Sequence, residues 1–113
     1  MSECSKSVKQ AGFQLVKLRR MSEKLEAQAM IAQSALGVAV KDVCSTHGAL
    51  NMQSGETEVL LHEIASVAGK AKMAHNAVRL VLKECDIDQP SDDEIKEEAK
   101  ATGEADADIL TWR

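Results

Sequence analysis

The sequence predicts an all-α protein: a long antiparallel helical hairpin of coiled-coil type, with a short third helix near its C-terminal end. The first observation is an apolar stripe at alternating 4-3 spacing, Cys4, Val8, Ala11, Leu15, Leu18, Ser22, Leu25, Ala29, Ala32, Leu36, Ala39 and Val43. That spacing keeps one side of a helix against a partner. The second is a matching stripe, Leu60, Ile64, Val67, Ala71, Ala74, Val78, Val81 and Cys85, and folding the chain back pairs the two so that facing residue numbers total 103. The third is composition. With one Phe, one Trp, no Tyr and a single Pro in 113 residues, the core has to be aliphatic, and about ninety residues run without a helix breaker.

Helix one is expected over about 2–47, with Ser2 as a cap and Gly48 as its left-handed stop. A turn over 48–54 follows, and helix two over about 55–85, where Glu56 and Glu58 bring negative charge to the positive end of the helix dipole. In this register Leu18 would face Cys85. Ala32 with Ala71 and Ala29 with Ala74 would let the backbones approach closely. The pattern breaks at Asp86-Ile-Asp-Gln-Pro90, and Ser91-Asp-Asp-Glu94 is a capping-box sequence that starts a third helix over about 92–102, stopped by Gly103. The chain thus divides into a hairpin, 1–85, and an acidic C-terminal segment, 86–113. The tail 103–113 carries the apolar cluster Ile109, Leu110 and Trp112, an anchor for docking either in cis or on a partner.

Charge is segregated along the chain. Residues 1–24 carry net +4, residues 25–83 net 0 and residues 84–113 net −8, for a total of −4. The acidic third helix is expected beside the basic start of helix one, with Ile95 near Val8 and Ala99 near Cys4. No run of apolar residues is long enough to cross a membrane, no leader pattern opens the chain, and the expected compartment is the cytoplasm. The three cysteines read as reduced thiols.

Two helices bury too little to make a core of native size. Phe13, Val16, Ala27, Met30, Ile31 and Val38 also lie off the seam, where an isolated hairpin should be charged. A homo-oligomer is expected, a dimer forming a four-helix bundle being the simplest symmetric solution.

Catalytic and metal motifs are weak. Cys44 and His47 have an i, i+3 spacing, but His62 on the facing helix points away from them, so a tetrahedral metal site is not expected, nor is any cofactor. His62 is placed as an exposed nucleophile would be, yet Ala65 and Ser66 stand where histidine phosphotransfer domains carry Lys and Gly. The expected function is therefore non-enzymatic: a protein-interaction, scaffold or inhibitor protein. Its partner-binding residues would be Phe13, Met30, Ile31, Val38, Ile109, Leu110 and Trp112. The alternative is a module for a small anionic ligand or nucleic acid, using Lys17, Arg19, Arg20 and Lys24.

Overall fold

A computed structural model of the chain describes residues 2–43, 48–103 and 110–113, with side chains from Lys6 onward. Three helices make up the fold, α1 (Ser2–Asp42), α2 (Gly48–Glu84) and α3 (Asp92–Ala101), with no strand among the described residues. The two long helices pack against each other.

Three of the helix ends have a local cause. Helix α2 closes on Asp86, which takes a left-handed φ of 59°. The amide of Asp86 donates to the Lys83 carbonyl (3.3 Å) and that of Ile87 to the Leu82 carbonyl (2.8 Å), the pairing of a Schellman stop. Ile87 then packs on the cluster that contains Leu82. Helix α3 begins with the capping box read from the sequence. The Glu94 amide donates to Ser91 Oγ at 3.2 Å and the Ser91 amide donates to Glu94 Oε1 at 3.4 Å. Gly103, at φ 72°, closes the helix by donating to the Lys100 carbonyl.

Packing divides the chain into two compact units, Met1–Arg20 with Lys70–Arg113, and Met21–Gly69. The first holds the apolar core. Val16, Leu82, Ile95 and Ala99 are fully buried, Leu110 and Trp112 nearly so, and Val8, Phe13, Val78 and Ile87 pack around them. Each fully buried large aliphatic side chain contributes about 2 kcal/mol of transfer free energy. Ile95 and Ala99 are the i, i+4 pair by which α3 docks. Val8 packs on this cluster, while the side chain of Cys4, expected near Ala99, lies outside the described residues.

The second unit contains only lengths of α1 and α2. Burial is partial and recurs at Ser22, Glu26, Ala29, Gln33, Leu36 and Val40 on α1 and at Leu50, Ser54, Thr57, Leu61, Ile64 and Ala68 on α2. Of these only Ser22 and Ala68 are buried outright.

Two expectations need correction. Helix α2 starts at Gly48, so the segment 48–54 is helical and Gly48 opens a helix where it was expected to stop one. Shortening the connection moves its midpoint toward the N-terminus and shifts the register. In the first unit a Cβ on Gly12 would lie 3.3 Å from Val78 Cγ1, so facing numbers there total 90 instead of 103. In the second, the partly buried positions pair by the same total. The seam also turns on each helix. Leu15, Ser22, Ala29 and Leu36 stay inward, but Leu18, Leu25 and Ala32 are exposed and Arg19, Glu26 and Gln33 replace them.

Candidate functional site

The C-terminal residues are built into the first unit. Trp112 is 5% exposed, and its amide donates to Asp92 Oδ1 (2.7 Å) while its indole Nε1–H donates to Gln89 Oε1 (2.8 Å). A large amphipathic ring is buried at low cost when its N–H finds such an acceptor. Its ring meets His75 edge-on at 4.6 Å between centroids, and it lies against Gly12, where any side chain would occupy its space. Arg20 secures the residue before it, donating to Thr111 Oγ1 at 2.9 Å and to the Thr111 carbonyl. Leu110 and Trp112 are therefore core residues docked in cis. Ile109 lies outside the described residues.

The basic residues singled out for anion binding do not form one exposed patch. Lys17 and Arg19 are buried, at 6% and 9% exposure, and Arg20 is committed to Thr111. Arg19 donates from Nη1 to His75 Nδ1 at 2.9 Å. Since the guanidinium is always a donor, Nδ1 is the accepting nitrogen, and His75 is fully buried in that geometry. Lys24 belongs to the second unit and is exposed.

Phe13 is half-buried against the core of the first unit and lines a shallow hollow with Asp93, Glu94, Glu97 and Glu98. His62 is exposed on α2, while Cys44 and His47 lie outside the described residues.

The second unit presents the apolar surface. Met30, Ile31 and Val38 are 55%, 62% and 59% exposed, and they are joined by Met21, Leu25, Met52, Val59, Leu60 and Val67, each more than half exposed. Their placement follows from the helical repeat of about 100° per residue. Measured from the seam, Met21, Leu25 and Ala32 on α1 and Leu60 and Val67 on α2 lie on the same flank of their helices. Because the helices run antiparallel, these flanks fall on one broad side of the pair. The opposite broad side carries Glu23, Met30, Ser34, Glu58 and His62. Ile31 and Val38 form a separate edge on the outer surface of α1.

The sequence reading placed Met30, Ile31 and Val38 off the seam, and they are exposed; it assigned Leu25, Leu60 and Val67 to the seam, and these are exposed as well. It missed the Arg19–His75 pair, Gly12 as the seat of Trp112, and Gln89 and Asp92 as its anchors. Gly12 carried one signal, a poor helix former inside a run of good ones. No protein-family model, no curated protein and no solved structure matches this chain.

Proposed function

We propose that the chain is a non-enzymatic interaction protein, a scaffold or inhibitor that holds a protein partner on the apolar surface of its second unit. One observation carries this reading: among its described residues that unit leaves nine large apolar side chains more than half exposed while burying outright only Ser22 and Ala68. Scattered apolar residues are ordinary on a surface, but contiguous patches mark interaction sites. The edge formed by Ile31 and Val38 has no charge between its members along the helix face and suits an apolar partner helix.

The anionic-ligand reading is weaker, because burial of Lys17 and Arg19 removes half of its expected basic group from solvent. The two readings separate on immobilised full-length protein. The interaction reading expects a reproducible protein partner that is lost with Ile31→Glu/Val38→Glu and kept with Lys24→Gln, which leaves the Arg20–Thr111 hydrogen bonds in place. Loss with Lys24→Gln alone, together with salt-sensitive retention on a polyanion, refutes it in favour of the alternative.

A further inference from the structure

We infer that the broad apolar side of the second unit, carrying Met21, Leu25, Leu60 and Val67, is the seat of a second copy of this chain, and that two copies close into a four-helix bundle about a two-fold axis parallel to the helices. This rests on reading the second unit as an interaction module and names the occupant of one of its surfaces. The side is shared by both helices, and the matching side of a second copy covers both at once.

The area is sufficient. Four large side chains at 51% to 62% exposure, with Ala32 and Ala35 between them, present roughly 500 Å² per copy. Pairing two copies removes on the order of 1,000 Å² before the polar rim is counted, about the threshold for a specific interface.

Charge selects the arrangement. On α1 the border between this side and the outer edge carries Lys24 and Asp42, and on α2 the rim carries Glu56 and Glu63, all exposed. A two-fold axis parallel to the helices lays the α1 rim of one copy over the α2 rim of the other at the same height. With facing numbers totalling 90, Lys24 falls within a turn of the partner subunit's Glu63, and symmetry repeats the pair. Every neighbouring pair of helices is then antiparallel. An axis perpendicular to the helices would instead lay the two α2 rims on each other and set Glu56 against the partner subunit's Glu63, and like charges at such rim positions oppose assembly.

The test is the mass of the full-length chain by sedimentation equilibrium across micromolar to millimolar concentration, with circular dichroism to verify helix content. The expected mass is twice 12.2 kDa, falling to the single value in Leu25→Glu/Leu60→Glu with helix content retained. Lys24→Glu should weaken the dimer roughly tenfold, and Lys24→Glu/Glu63→Lys should restore it. A dimer that survives Leu25→Glu/Leu60→Glu but dissociates with Ile31→Glu/Val38→Glu overturns this seat while leaving the interaction reading intact. Failure of the charge swap to rescue overturns the parallel axis. A chain that stays at the single mass throughout overturns the second copy. If that monomer also fails to bind an apolar dye such as bis-ANS, the interaction reading falls with it.

Discussion

Replacing Gly12 by Ala should destabilise this protein, against the usual direction for a glycine inside a helix. In a helix interior Gly→Ala gains about 1 kcal/mol. At Gly12 the new methyl would sit 2.8 Å from Trp112 Cη2, 3.1 Å from Cζ3 and 3.3 Å from Val78 Cγ1. The first two distances are to a rigid ring that cannot swing aside, since hydrogen bonds of 2.7 Å and 2.8 Å fix its backbone and its indole nitrogen. Overpacking of this kind costs about 1–3 kcal/mol, so the net effect is a loss on the order of 1 kcal/mol, or roughly 3–6 °C in Tm. Gly37 and Gly69 are internal controls: nothing lies within 4 Å of a Cβ at either, and Ala there should stabilise by about 1 kcal/mol. The assay is urea unfolding followed by fluorescence of Trp112, the one tryptophan of the chain. Repeating Gly12→Ala in a Trp112→Ala background, followed by circular dichroism, should change its sign from loss to gain. If Gly12→Ala raises stability in the native background as much as Gly37→Ala does, the packing of Trp112 on α1 is refuted.

Trp112→Ala itself should cost about 3–5 kcal/mol, the range for a buried Trp, read as a lowered urea midpoint by circular dichroism. Before unfolding, Trp112 should emit at short wavelength and resist acrylamide quenching, and Asp92→Ala should raise its accessibility. Arg19→Met should cost about 1–3 kcal/mol in a denaturant melt, because it strips a donor from the buried His75 Nδ1. Ser91→Ala should remove the α3 cap at a cost of about 1 kcal/mol, with amide exchange accelerating first in Asp92–Ala101.

Much of the fold was legible because it rests on local rules. The 4-3 spacing gives long helices, and Ser91 with Glu94 gives the start of α3 to the residue. The register was not legible, because a hairpin's register is set by the length of its connection, and Gly48 can stop one helix or start the next with equal chemistry. The rotation of the seam was hidden for a different reason. Hydropathy places Arg19, Glu26 and Gln33 off the seam, whereas Arg19 is buried and Glu26 and Gln33 are partly buried, their aliphatic stems covering apolar surface. The tail cluster Leu110 and Trp112 was visible as an anchor; its destination depended on Gly12, Gln89 and Asp92, which are distant in sequence and unremarkable one by one.

The division of the first unit between both ends of the chain has a consequence for the order of assembly. Residues 1–20 fall in one compact unit with residues 70–113, so during synthesis the core around Val16 cannot close until the C-terminal residues have been made. Synthesis proceeds at roughly 5–20 residues per second, and helix formation is faster by many orders of magnitude. The newborn chain therefore passes through a stage in which the core around Val16 is still open, because Leu110 and Trp112 close it last.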